Sequence, residues 1–382
     1  MTIKKKNKIL IIAGSAVVII LIVIGSFLGR TKESVPSQSF EGQKTAQVAQ
    51  TGQTAQAVQT AQNGGANSQV ELKEIRAWSR RDCSLAPWLV TDKLGYFAEE
   101  GIKLVFTGEL QPPQQIPSIL NGDNDVSSAH PNNLAVAING GAKIKGVARG
   151  DVEPTPDVDP GFRHMWWFVN PKKYPNVKTI ADLKDVEGTL KFSIISTNQC
   201  SDFLAYKIFD YYGIPRDKIE WVTMPDVQAI QALSQGLTDV GGVHPPFYKG
   251  ILEAGNLKIA DSSDAHLEGQ TAGLTFYYFT EKFIQDNPET VKSFIKAIGK
   301  GQRYINENPE QARLWTEEAI GIPVSANHYF AADLTIKDGE IIPWLEELEI
   351  QGVIPKGGLK PLDIVSHLYD KEAEEASKSF LN

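Results

Sequence analysis

Two short stretches hold the only cysteines of the 382-residue chain, "SRRDCS" at 79–84 and "STNQCS" at 196–201. Both fit S-x-x-x-C-S, both follow a strand-like run and both precede a helical stretch. A helix start offers free N–H groups and hydroxyls to an anion and lowers the pKa of a thiol placed there. Two histidines also stand in matched places. His130-Pro131 closes "IPSILNGDNDVSSAHP" and His244-Pro245 closes "IQALSQGLTDVGGVHP". Cysteine with histidine suits nucleophilic catalysis, a thiophilic metal or a polar ligand pocket, and the residue types leave all three open. His164, His266, His328 and His367 have no such counterpart.

These residues need elements to hold them, and the sequence supplies the same set twice. A strand leads into each S-x-x-x-C-S, and a helix follows, roughly Ala86–Glu100 and Asp202–Tyr212. A second strand comes next, Lys103–Phe106 and Ile219–Thr223. A further helix ends at the glycine of Asn121-Gly122 or Gln235-Gly236, where glycine suits the left-handed C-cap. A third strand carries Asp-Val and stops at His-Pro. Alternating strands and helices predict parallel β-α units and two α/β lobes. Ligands of open α/β sheets bind beyond the C-terminal strand ends, so both Cys turns and both His-Pro turns face one shared cleft. Two segments join the lobes, the Pro/Asp-rich 151–163 and the return at 267–273. Lobe 1 is then 70–150 with 274–382, and lobe 2 is 164–266. Asp151, Glu153, Asp157 and Asp159 read as a solvated hinge, since their spacing matches no calcium loop. "LTFYYFTEKF" reads as a strand, followed by helices at Pro288–Asn306, Pro309–Ala319 and Asn327–Ala332.

The formal charge is −8, which excludes the basic footprint that nucleic acid needs. Lys4, Lys5, Lys6 and Lys8 make 1–8 a basic, cytoplasmic segment. Ile9 to Leu28 carries no charge and is long enough, as a helix, to cross the roughly 30 Å of a bilayer core. The lysines put the N-terminus inside and the remainder outside. An uncleaved anchor is expected; a cleaved signal sequence is the alternative, although its apolar region is usually shorter. Residues 31–69, rich in Gln, Ala, Thr and Gly, read as a flexible tether.

The runs "APWLVTDKLGYFAEEGIKLVF", "KTIADLKDVEGTLKFSI" and "STNQCSDFLAYKIFDYYGI", with the two His-Pro stretches in order, resemble the solute-binding proteins of ABC importers that take nitrate, taurine and aliphatic sulfonates. Relatives of that family bind thiamine pyrimidine precursors. The resemblance implies a two-lobed, type II periplasmic-binding-protein-like fold with two crossovers. It also implies a small organic, anionic or heterocyclic ligand, delivery to ABC permease subunits, a monomer, no cofactor and no catalytic residue. Gln199-Cys200-Ser201-Asp202-Phe203 stands where the family has a Thr-Ser-Gly-Asp-Phe type turn, so Cys200 takes the place of a ligand-binding hydroxyl. His244-Pro245-Pro246-Phe247 replaces a Trp-Glu-Pro type turn.

The ligand-binding candidates from the first lobe are Ser79, Arg81, Cys83, Ser84, His130 and Asn132. Those from the second are Trp166, Ser196, Thr197, Cys200, Ser201, Asp202 and His244. Ser84 and Ser201 are N-caps or adjacent to caps. One of Arg80 and Arg81 faces solvent, and the other clamps an acid group. At most one of Trp166 and Trp167 faces the cleft, because adjacent strand residues point to opposite sides. No metal is assigned; Cys83, His130, Cys200 and His244 form a lesser alternative as a thiophilic ligand set. An enzyme of the thiamine-precursor type, using Cys and His, is the other alternative. A disulfide between Cys83 and Cys200 would lock the lobes and is not expected.

Overall fold

The computed structural model describes residues 72–82 and 84–378. The expected anchor, the tether and Cys83 lie outside the described residues. Among the described residues no helix is long and apolar enough to cross a membrane.

Among the described residues ten strands form the framework: β1 (Lys73–Ser79), β2 (Ile102–Glu109), β3 (Val126–Ala129), β4 (Ile144–Arg149), β5 (Trp166–Val169), β6 (Leu190–Ile194), β7 (Ile219–Thr223), β8 (Val240–Val243), β9 (Leu257–Asp261) and β10 (Phe276–Thr280). In the first lobe β1 pairs with β2 in parallel, and β10 runs antiparallel between β3 and β4. Arg76 joins these two sheets. Its backbone N–H and its guanidinium donate to Asp125, just ahead of β3, whose own N–H donates to the Arg76 carbonyl. The second lobe is a single sheet in the order β7-β6-β8-β5-β9, with β5 antiparallel to both neighbours. The two lobes therefore repeat one arrangement. In each, the antiparallel strand is the first one the chain makes after crossing over from the other lobe. The central strands are buried on both faces, which explains the unbroken apolar run Phe276-Tyr277-Tyr278-Phe279.

The duplicated helices form where the periodicity places them, with two refinements. The stretch after β1 breaks at Gly95, whose φ of 78° is left-handed, into Ala86–Lys93 and Tyr96–Glu99. The helices Pro112–Leu120 and Asp226–Ser234 both run out into a left-handed glycine, Gly122 and Gly236. Asn327–Ala332, expected as a helix, is not helical and forms an isolated antiparallel bridge between Phe330 and Asp151. The Tyr329 carbonyl accepts from Val152 N–H and the Ala331 N–H donates to the Gly150 carbonyl, so this segment satisfies the backbone of the first crossover.

The long helix Pro288–Glu307 packs its apolar face on Ala86–Lys93, and Asp370–Lys378 packs on it in turn. Asp338–Ile350 instead reaches the second lobe. Trp344 stacks on Phe203 at 3.8 Å, and the buried Glu347 accepts from Arg216 at 2.6 and 3.0 Å and pairs with Lys207 at 2.9 Å.

The two crossovers press against each other at Gly273. A Cβ there would lie 2.8 Å from the Val152 carbonyl carbon and 2.9 Å from both Glu153 N and His164 Cγ. None of these atoms is the end of a flexible side chain. Gly273→Ala should therefore lower stability by about 1–3 kcal/mol, read as a lower thermal midpoint. An unchanged midpoint would mean that the crossovers are not in contact.

Candidate functional site

Proline fixes the two histidines that close the strands. Pro131 and Pro245 sit at the first helical position, which suits a residue lacking an N–H. The residue before a proline is held extended, and His130 (φ −69°, ψ 156°) and His244 (φ −97°, ψ 165°) are both extended. Each imidazole is thereby left at a strand end, and both line one cavity. The helix Cys200–Tyr212 begins opposite them. Asp202 accepts from the N–H groups of Asn198 (2.7 Å) and Gln199 (2.8 Å), which pins the turn that precedes the cysteine. Asn198 takes a left-handed φ of 57° in that turn, a conformation asparagine tolerates.

These pieces enclose a cavity of about 140 Å³ between the lobes. The first lobe lines it with Arg80, Asp82, Ser84, His130, Asp151 and Tyr278, and the second with Gln199, Cys200 and His244; His164, at the end of the first crossover, joins them. An outer cleft of about 430 Å³ shares Asp82, Pro112, Gln115 and Ile195 with the cavity and adds Arg81 and Ser196 to its walls. Asn132 and Asn133 cross to the second lobe, donating to the carbonyls of Gln199 (2.9 Å) and Asn198 (2.8 Å).

At the base of the cavity three of the six histidines surround one thiol, and a fourth, His328, packs behind them. The Cys200 sulfur lies 3.3 Å from His244 Nε2, and His244 Nδ1 donates to Asp226 Oδ2 at 2.7 Å. His164 is central: its ring centroid is 5.4 Å from that of His130, 5.6 Å from His244 and 4.4 Å from His328. His130 stacks on Trp344 at 5.3 Å. Burial alone would push the Cys200 thiol up, but the adjacent His130 and His244 imidazoles outweigh it and hold the thiol well below its ordinary range. His244 moves the opposite way. Burial would lower it, and the Asp226 carboxylate with the Cys200 sulfur holds it well above the usual histidine value. Both shifts favour a thiolate beside an imidazolium, and the Asp226 carboxylate orients the ring. Burial lowers His164 to about 4, and His328 falls well below the ordinary value for the same reason.

Several expected site residues lie elsewhere. Arg81 is exposed and pairs with Glu109 at 3.1 Å. Arg80 is the inward arginine, its guanidinium held over the rings of Trp78 (4.8 Å) and Trp88 (5.4 Å) with a bond to the Ser127 hydroxyl. Trp166 stacks on Tyr248 at 4.1 Å under the Lys258 ammonium, and Trp167 is in the core, so neither lines the cavity. Ser79 ends β1 in register with Glu109, and Thr197 is exposed. Ser84, on the cavity wall, directly precedes the cap residue Leu85, as expected, whereas Ser201 lies two residues past the cap residue Gln199 and its buried hydroxyl has no hydrogen-bond partner. The hinge acids Asp151 and Glu153 are buried rather than solvated. Glu153 accepts from Arg163 (3.1 Å), Ser262 (2.7 Å) and the His164 N–H (3.3 Å). His164 and His328, unpaired in the repeat, belong to the cluster. The available signal for His164 was its position directly ahead of the first strand after the crossover; His328 carried none.

Burial pushes the Asp151 carboxyl up to about 7, against the opposing charges of His130 and Arg80. Between the ordinary value of 3.8 and about 7 the folded state therefore holds a proton that the unfolded chain has released. This carboxyl favours the fold at low pH, and its contribution is lost as pH rises through about 7. Asp151→Asn removes that loss. Relative to the unaltered protein, the variant should gain stability between pH 4 and pH 7, by about 4 kcal/mol at most. Parallel stability–pH curves for the two proteins would contradict the buried carboxyl.

A family model described as NMT1/THI5 like matches residues 83–158 and 167–312, more than half of the chain. No curated protein matches the sequence. Several solved structures share the fold. The ligand-binding component of an ABC-type import system from Staphylococcus aureus, solved with zinc bound, is 13% identical with a TM-score of 0.61, covering 79% of this chain and 99% of that one. The periplasmic aliphatic sulphonate-binding protein SsuA from Escherichia coli is 16% identical (TM-score 0.60), covering 77% and 92%. The periplasmic nitrate-binding protein NrtA from Synechocystis is 12% identical (TM-score 0.64), covering 81% and 90%. Such identities speak to the fold, which is that of the periplasmic binding proteins, in agreement with the two-lobed α/β arrangement read from the repeat. By the extent of its family match, the chain belongs to the NMT1/THI5-like family.

Proposed function

We propose that the chain is the extracytoplasmic solute-binding component of an ABC importer. It captures a small acidic or heterocyclic molecule between its lobes and presents the closed form to the permease. The observation that carries this reading is the enclosed cavity of about 140 Å³, lined by polar groups from both lobes with the buried Arg80 guanidinium on one wall. The cavity is far smaller than the roughly 300–1,000 Å³ of sites for drug-sized ligands, so the solute is small. A buried arginine suits a carboxylate, sulfonate or phosphonate. The structural neighbours that bind sulfonates and nitrate support the same class of ligand. In this reading 9–28 anchors a monomer to the membrane, 31–69 is the tether, and the lobes (70–150 with 274–382, and 164–266) close about the crossovers 151–163 and 267–273.

One observation favours a second reading. Cys200, His244 and Asp226 stand in the order nucleophile, base and orienting carboxylate, an arrangement able to form a covalent bond to a bound electrophile.

Native mass spectrometry of the full chain separates the two. The import reading predicts a small molecule that co-purifies, leaves unchanged on denaturation, and rebinds roughly tenfold or more weakly to Arg80→Met. A mass increment that survives denaturation and maps to Cys200, or a released molecule converted by the protein, would favour the enzyme. Undiminished rebinding to Arg80→Met would contradict the cavity assignment.

A further inference from the structure

The base of the cavity contains more nitrogen and sulfur donors than an organic ligand or a catalytic triad requires. His130 Nδ1 lies 2.8 Å from the Leu274 carbonyl oxygen. A carbonyl can only accept, so Nδ1 carries the proton, and Nε2 is the ring nitrogen left to serve as a ligand. His164 is 1% exposed, yet neither of its ring nitrogens has a hydrogen-bond partner. Burying such groups unpaired is costly. The donor atoms of His130, His164 and Cys200 all lie within 4.8 Å of one another. His244 stands behind the sulfur, with its far nitrogen on Asp226. That is how an outer hydrogen-bonding shell orients and tunes a metal ligand.

We propose that His130, His164 and Cys200 bind a thiophilic transition-metal ion of the Zn²⁺ class, with a fourth coordination position open to the cavity that all three line. One thiolate and two imidazoles suit zinc and its neighbours, whereas calcium and magnesium take oxygen donors. Bonds of about 2.0–2.3 Å bring tetrahedral donors to roughly 3.3–3.8 Å of one another, a modest contraction from the observed spacing. The ligands come from the end of β3, from the first crossover and from the start of the helix Cys200–Tyr212, so one ion ties both lobes and the hinge together. Water or a small anion completes the coordination. The inference goes beyond solute import, since a solute-binding cleft needs no metal, and either reading can fail without the other.

The test uses the full chain with Cys83→Ser, treated with chelator and titrated with Co²⁺ and then Zn²⁺. We expect one cobalt per chain, a sulfur-to-cobalt charge-transfer band in the near ultraviolet, and displacement of that cobalt by Zn²⁺. The band should vanish in Cys200→Ser, and cobalt affinity should fall by about tenfold or more in His164→Gln. No saturable cobalt binding, or an unchanged band and affinity in both variants, overturns the proposal. If Cys200→Ser fails to fold, His164→Gln decides alone: cobalt affinity equal to that of the parent overturns it. Native mass spectrometry of the chelator-treated protein separates the two readings, because a retained small solute leaves import standing whatever cobalt does.

Discussion

The contact between the Cys200 sulfur and His244 Nε2, 3.3 Å apart and fully enclosed, sets the terms for the site. Desolvation keeps a thiolate or an imidazolium out of an apolar interior unless it is paired and oriented. The pairing requires a helix start and a strand end at one point. Asp202 shapes the turn that delivers the cysteine, and Pro245 fixes the backbone that delivers the histidine. Asp226 holds the far side of the ring by accepting from both its Nδ1 and the His244 backbone N–H.

Enclosing this pair requires the first lobe. His130 stacks on Trp344, and Trp344 stacks on Phe203, so an aromatic column runs from the strand end of one lobe to the cysteine helix of the other. Asn132, Asn133 and the Glu347 ion pairs cross the same divide. The cavity above the pair exists because these contacts close around it while Arg80, Asp82 and Asp151 hold polar groups toward its centre. A cavity with charge on its walls is suited to selecting a small polar solute and excluding apolar ones.

The framework was legible in the sequence because it is written twice. The matched S-x-x-x-C-S and His-Pro stretches located the strand ends at 129 and 243, the helix stops at Gly122 and Gly236, and the cavity wall at Ser84, His130, Cys200 and His244. What occurs once was not legible. His164 directly follows a crossover and His328 lies on an irregular segment that hydrogen-bonds to it, and no local period marks either as inward-facing. Which of Arg80 and Arg81 turns inward was not legible either, because the register shifts between Ala77 and Ser79 just ahead of them. Asp151 and Glu153 resembled a solvated acidic run, yet the contact of the two crossovers at Gly273 buries them. Burial by a partner distant in sequence leaves no trace in composition.

The central claim is that Cys200 is enclosed because two lobes close over a bound solute. It is tested most directly by the rate at which Cys200 reacts with a small thiol reagent in the full-length Cys83→Ser protein. The rate is measured before and after the co-purified molecule has been removed by unfolding, dialysis and refolding. The account predicts that the loaded protein reacts slowly, that the emptied protein reacts many times faster, and that returning the molecule restores protection. Equal rates in all three states would contradict it.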